Sequence, residues 1–219
     1  MSNQPGFLIT LEGGEGGGKT TQIVRLRERL AQIGKDVIVL REPGGTMISE
    51  QIREVLLSTK NVGMSFTAEV LLFQAARAQI YREIVLPSLA AGKVVLMDRS
   101  RDSSVVYQGV VRGFGLELID QLNDISTKKT LPDLTLLLDV AVELGLSRRG
   151  QTEKVDRLDM EAQDFHQKVR EAYVKLAKND RTNRWVMIDA SRSLAEVGEG
   201  IWEVVKGRIL SSRTDRHTS

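Results

Sequence analysis

The run Gly13-Gly14-Glu15-Gly16-Gly17-Gly18-Lys19-Thr20 matches the pattern G-x-x-x-x-G-K-[ST], and each residue type in that pattern has a chemical reason. Glycines let the backbone turn so that successive N–H groups converge on phosphate oxygens, and a helix starting at the end of the loop adds the positive end of its dipole. Lys19 is placed to reach the outer two phosphates of a nucleoside triphosphate, and the hydroxyl of Thr20 is a ligand for the Mg²⁺ that accompanies them. A turn that merely capped a helix would carry the conformational entropy of so many glycines without any compensating contact. Gly13–Thr20 is therefore the candidate nucleoside triphosphate site.

Two other clusters could act on a phosphate. Asp98-Arg99 directly follows the apolar run Val94–Met97. An aspartate at a strand end beside a phosphate loop can hold Mg²⁺ through water or orient an acceptor phosphate, and an adjacent arginine can clamp that phosphate by paired hydrogen bonds. Arg148, Arg149, Lys154 and Arg157 crowd one short stretch containing Gly150, which predicts a mobile basic loop able to bring cations over a moving phosphoryl group and to exclude water. Other chemistries are poorly supplied. With no cysteine and two histidines, disulfides, thiolate metal sites and cysteine nucleophiles are excluded, and little is left for zinc or a histidine base. The N-K-x-D run by which GTPases read their base is missing; Lys128-Lys129-Thr130-Leu131 does not fit it.

These residues need a scaffold. Phe7–Leu11, Val37–Leu40, Val94–Met97, Leu134–Leu138 and Trp185–Ile188 are short apolar runs bounded by charge, Gly or Pro, the mark of strands buried on both faces. Between them lie helical patterns such as Ile23, Leu26, Leu30 and Ile33, stopped by Gly34. A βαβα order predicts an α/β fold: a five-stranded parallel sheet with helices on both faces and ligands at the carboxyl ends of the strands. No repeat or Pro/Ser-rich linker divides the chain, which predicts one domain over 1–210 with a short lid at about 148–160, and a polar, disordered tail at 211–219.

The motifs around the phosphate loop resemble those of thymidylate kinases. Arg41-Glu42-Pro43-Gly44-Gly45-Thr46, after the second run, is similar to the family's segment lining the monophosphate site, and Arg53 matches an arginine directed toward phosphate. Leu71-Leu72-Phe73-Gln74-Ala75-Ala76-Arg77 resembles the helix whose phenylalanine stacks on thymine and whose arginine binds substrate; independently, Phe73 and Arg77 are four apart and share a helix face. Asp98-Arg99 with Ser103-Ser104-x-x-Tyr107-Gln108-Gly109 is similar to the family's D-R-Y/H-x-x-S-S/T-x-A-Y-Q-G, departing from it at Ser100 and Val106. Asp156-Arg157-Leu158-Asp159 and Phe165-His166-x-x-Val169-Arg170-x-x-Tyr173 resemble the lid boundary and the helix after it. Glu15 in place of a loop arginine resembles the bacterial group, whose catalytic arginine comes from the lid.

The resemblance implies a nucleoside monophosphate kinase fold and transfer of a phosphoryl group from Mg·ATP to dTMP. Lys19, Asp98, Arg99 and one of Arg148, Arg149 or Arg157 would be catalytic, with Glu15 positioning a lid arginine; dTMP would lie among Glu42, Pro43, Arg53, Phe73, Arg77, Arg99, Ser103, Ser104, Tyr107 and Gln108; Thr20 and Asp98 would hold Mg²⁺. It further implies a homodimer. The residues themselves leave two other readings open: a kinase for a different monophosphate, or a nucleotide-dependent regulatory protein with little turnover. Thirty-one basic against 29 acidic residues predicts no nucleic-acid partner. The lack of a long apolar run or leader pattern predicts no membrane partner and a cytoplasmic location.

Overall fold

The computed structural model of the 219-residue chain describes residues 6–149, 156–158 and 160–214. Its centre is a five-stranded, wholly parallel sheet in the order β2-β3-β1-β4-β5. The strands are β1 (Phe7–Glu12), β2 (Val37–Arg41), β3 (Val94–Asp98), β4 (Leu134–Asp139) and β5 (Trp185–Asp189). Each runs one residue beyond the apolar segment that predicts it, and that residue is charged every time: Glu12, Arg41, Asp98, Asp139 and Asp189. The ladder continues as far as the carboxyl edge, where charge can reach a ligand.

Helices α1 (Lys19–Gln32), α2 (Met47–Leu57), α3 (Phe66–Ile80), α4 (Leu86–Ala90), α5 (Arg101–Ser104), α6 (Leu116–Thr127), α7 (Val142–Arg149), α8 (Gln163–Asn179) and α9 (Leu194–Thr214) connect and cover the strands. Side chains alternate across the sheet, so the two faces build separate cores. Ile9, Leu11, Leu96, Leu134, Leu136 and Leu138 meet Ile23, Leu26 and Leu30 of α1 and Val197, Ile201 and Val205 of α9. On the other face, Leu8, Val95 and Met97 pack against Ile80, Tyr81 and Val85, and Leu137 packs against Phe165, Val169 and Tyr173 of α8. Burial on both faces holds for the three central strands. At the edges it does not: Val39 on β2 and Met187 on β5 are each 40% exposed, because an edge strand has a helix layer that covers it only in part.

The ends of the helices explain where the loops leave. Ile33, expected on the buried face, is the C-cap of α1 and exposed, while Gly34 takes φ 74° to turn the chain into β2. Thr46 and Ser65 cap α2 and α3 by accepting the N–H groups of Ser49 and Ala68. Two wide, π-helical turns follow α3 (Tyr81–Val85) and α5 (Val105–Val111); the second carries Tyr107 and Gln108, as such turns often do near functional sites. Arg148 and Arg149, expected in a loop, form the last turn of α7. Gly150, Lys154 and Asp159 of the expected lid lie outside the described residues, as do residues 215–219 of the expected tail; α9 itself continues to Thr214.

Candidate active site

A cleft of about 740 Å³ opens at the carboxyl ends of the strands. Its floor is the phosphate loop. Gly13, Gly16 and Gly18 have φ of 133°, 67° and 80°, a backbone path that residues with a Cβ rarely follow. Gly18 is the N-cap of α1, so the loop feeds directly into a helix N-terminus. Lys19 is buried, with Nζ donating to the carbonyls of Gly14 (2.7 Å) and Gly13 (3.2 Å); burial and the nearby Arg99 lower its pKa. Thr20 Oγ1 donates to Asp98 Oδ2 at 2.8 Å. A hydroxyl and a carboxylate side by side are hard oxygen donors of the kind Mg²⁺ takes while retaining water and phosphate ligands.

Asp98 ends β3, and the next residue, Arg99, turns into the left-handed region with φ 65°. Its guanidinium pairs with Glu15 of the phosphate loop, lies 5.3 Å over the Tyr107 ring and reaches the Tyr173 hydroxyl at 3.3 Å. Burial would raise the Glu15 pKa, but Arg99, then Lys19 and Arg149, outweigh it and hold the carboxyl at about 2. Glu15 is thus an anion paired with Arg99 and lying in the field of Lys19 and Arg149.

The opposite wall gathers the residues expected to hold a monophosphate. Arg53 donates to the Pro43 carbonyl at 2.8 Å and lines the cleft. Phe73 is half-buried, faces the cleft and belongs to no core cluster, whereas Arg77, one turn on, is almost fully buried. Arg77 Nε donates to Glu42 (2.7 Å), Nη1 to Ser104 Oγ and Asn123 Oδ1 (2.9 Å each) and Nη2 to the Ser100 carbonyl (3.1 Å). Four of its five N–H groups are used by the protein, leaving one on Nη2 for the cleft it lines. Ser103, Tyr107 and Gln108 also line the cleft; Gln108 is oriented by donating to Glu69 at 3.0 Å. Ser100, where the motif departs, is buried with its hydroxyl 2.9 Å from that of Tyr81, and Val106 sits in the core beside Leu137.

The three arginines expected at the lid separate. Arg148 donates to the carbonyls of Ala190 (2.8 Å) and Ser191 (3.2 Å), after β5. Arg149 lines the cleft and lowers the Glu15 pKa. Arg157 does not line it. It is buried against α3, with Nη2 on Glu69 at 2.6 Å and Nε on the Leu56 carbonyl at 2.9 Å. Sequence reasoning gave no site role to Glu12 or Tyr173, whose carboxylate and hydroxyl meet at 2.7 Å behind Arg99, or to Arg192 on the rim. A charged residue closing an apolar run at the edge of the phosphate loop was the available signal for Glu12.

A family model described as thymidylate kinase matches residues 11–201. The chain belongs to the thymidylate kinase family. It is similar to thymidylate kinases of Thermoanaerobacter sp. (strain X514), 47% identical over 92% of this chain and 98% of that one, and of Halothermothrix orenii, 46% identical over 94% and 99%. Among solved structures it resembles a thymidylate kinase from Ehrlichia chaffeensis, with TM-score 0.75 and 32% identity over 92% of this chain and 99% of that one. In this family member the phosphate loop, Arg99, Phe73 and Arg77 line a single cleft.

Proposed function

We propose that the chain transfers the γ-phosphoryl group of ATP to the phosphate of dTMP, giving dTDP and ADP. The observation that carries this reading is that Arg99, paired with Glu15 of the phosphate-binding loop, lines the same cleft as Phe73 and Arg77, in a thymidylate kinase family chain. A non-bridging oxygen of the dTMP phosphate attacks the γ-phosphorus in line. The bond from that phosphorus to the β-phosphate oxygen breaks, and ADP leaves with the electron pair. No protein nucleophile is needed; the residues position and offset charge.

Gly13–Thr20 hold the ATP phosphates, with Lys19 moving from the loop carbonyls to the phosphate oxygens. Thr20 and Asp98 would hold Mg²⁺, which when bound offsets charge between the β- and γ-phosphates. Arg99 and Arg53 take the acceptor phosphate, Phe73 stacks on the base, and the remaining Nη2 N–H of Arg77 meets a base oxygen. Arg149, at the end of α7 and next to the phosphate loop, supplies the lid charge with Arg148 beside it, whereas Arg157 anchors the chain after the lid through Glu69.

A homodimer is part of this proposal. It is supported by exposed apolar side chains on α3 and the two helices packed against it: Leu71 on α3, Met47 (76% exposed) and Val55 on α2, and Leu118 and Ile125 (75%) on α6. Light scattering that returned a monomer at working concentration would remove it. We place the reaction in the cytoplasm on the identity of the donor, ATP; among the described residues no helix is long and apolar enough to cross a membrane. A coupled ADP-release assay with Mg·ATP tests the main reading. Turnover with dTMP well above dUMP, UMP, CMP, GMP and AMP supports it, preference for another monophosphate replaces the base assignment, and no turnover leaves a binding protein.

A further inference from the structure

Glu12 stands just outside the phosphate-binding pattern, as the last residue of β1, and its side chain is fully buried. Its two oxygens take three donors from two other elements. Oε1 accepts the backbone N–H of Ser100 at 2.8 Å; Oε2 accepts the hydroxyls of Ser103 at 2.6 Å and Tyr173 at 2.7 Å. Those hydroxyls lie 2.9 Å apart, and Arg99 Nη1 reaches both, Tyr173 at 3.3 Å and Ser103 at 3.5 Å. The Arg99 backbone has φ 65°, a conformation a non-glycine residue keeps only where its surroundings hold it. Here two consecutive N–H groups are held by two consecutive residues of β1: that of Arg99 by the Leu11 carbonyl at 3.0 Å, and that of Ser100 by Glu12.

A packing role alone would not need a buried carboxylate, which must be desolvated and satisfied by several donors. On the reading of the chain as a monophosphate kinase, we propose that Glu12 is a positioning residue: through Ser100, Ser103 and Tyr173 it aims the Arg99 guanidinium at the acceptor phosphate. Because Tyr173 belongs to α8, which follows the lid, the same carboxylate ties that helix to the phosphate loop. Glu12 touches neither substrate; its effect passes through Arg99.

A kinetic double-mutant cycle of wild type, Glu12→Gln, Arg99→Ala and the double variant tests this, run on whichever monophosphate the wild type phosphorylates. The expected result is a loss of about 10–100-fold in kcat/KM for the monophosphate in Glu12→Gln, with KM for ATP within about 2-fold, and almost no further loss when it is added to Arg99→Ala. Losses that multiply, or a Glu12→Gln enzyme whose two KM values rise together, overturn the proposal. If Glu12→Gln does not fold, Tyr173→Phe, which removes one of the three donors, should give the same split and the same non-additivity at smaller size; multiplied losses there overturn it equally. A wild type that prefers a monophosphate other than dTMP changes the base reading and leaves this test intact. A wild type inactive on all of them removes both.

Discussion

Gly145 of α7 rests directly on Glu15 of the phosphate loop: a Cβ on Gly145 would lie 2.4 Å from the Glu15 carbonyl oxygen, and one on Gly16 would lie 2.0 Å from the Gly145 carbonyl oxygen. Backbone meets backbone there, so neither side can give way by turning a side chain. The helix ending in Arg148 and Arg149 is thereby set against the loop that carries the ATP phosphates. Gly145→Ala should push α7 off the loop, costing about 1–3 kcal/mol of stability and about 10-fold or more in kcat. Thermal melts and steady-state kinetics check both; a variant with wild-type kcat would show that this contact does not set the lid.

Arg149 and Arg157 should fail in opposite ways. Arg149→Ala is expected to lower kcat by about 10³-fold, the lower end of what a catalytic arginine contributes, with little change in melting temperature. Arg157→Ala leaves Glu69 buried without its closest cation and should cost about 2–4 kcal/mol, toward the lower end of the range for broken buried pairs because Arg112 and Gln108 still face that carboxylate. Urea unfolding beside kinetics separates the two, and a stable but catalytically dead Arg157→Ala would reverse the assignment.

Phe73 is half-buried and outside every core cluster, so Phe73→Ala should cost binding more than folding. Stacking on a base is worth about 1–3 kcal/mol, which predicts a rise of about 5- to 150-fold in KM for dTMP and an unchanged KM for ATP. An unchanged KM for dTMP would remove the base from this wall.

Much of this arrangement is legible in the sequence because it is local. The phosphate loop, the apolar strand runs and the four-residue spacing of Phe73 and Arg77 are one-dimensional patterns. What is not legible depends on partners far along the chain. The strand runs stop one residue short at each carboxyl end because Glu12, Asp98 and their counterparts are charged, and only the ladder shows that they remain paired. Spacing placed Arg148, Arg149 and Arg157 in one basic group; a carboxylate 88 residues from Arg157, that of Glu69, takes it out of the cleft. The hub at Glu12 joins positions 161 residues apart, beyond any periodicity.

Glu12 also sets a pH dependence of stability. Burial first, then the neighbouring Asp102, push its pKa from 4.5 to about 7, against Ser103, Arg99 and Tyr173, which lower it; Lys19, Tyr107 and Arg184 also face it. Its folded pKa lies above its unfolded value, so the folded state holds the extra proton between those values. The stability it contributes is present below about pH 4.5 and lost as pH rises to about 7. Glu12→Gln carries no such loss. The stability of the variant relative to wild type should therefore rise between pH 5 and pH 8, by up to about 3 kcal/mol, even as its activity falls. Urea unfolding at the two pH values checks this, and a difference independent of pH would contradict it.

The most direct test of the central claim is a competition. Purified protein, Mg·ATP and equimolar dTMP, dUMP, UMP, CMP, GMP and AMP are mixed, and the nucleoside diphosphates formed are measured by mass spectrometry at early times. The account predicts dTDP as the dominant diphosphate product besides ADP, appearing with ATP consumed one for one. Another diphosphate in its place, or ATP consumed without any, would contradict it.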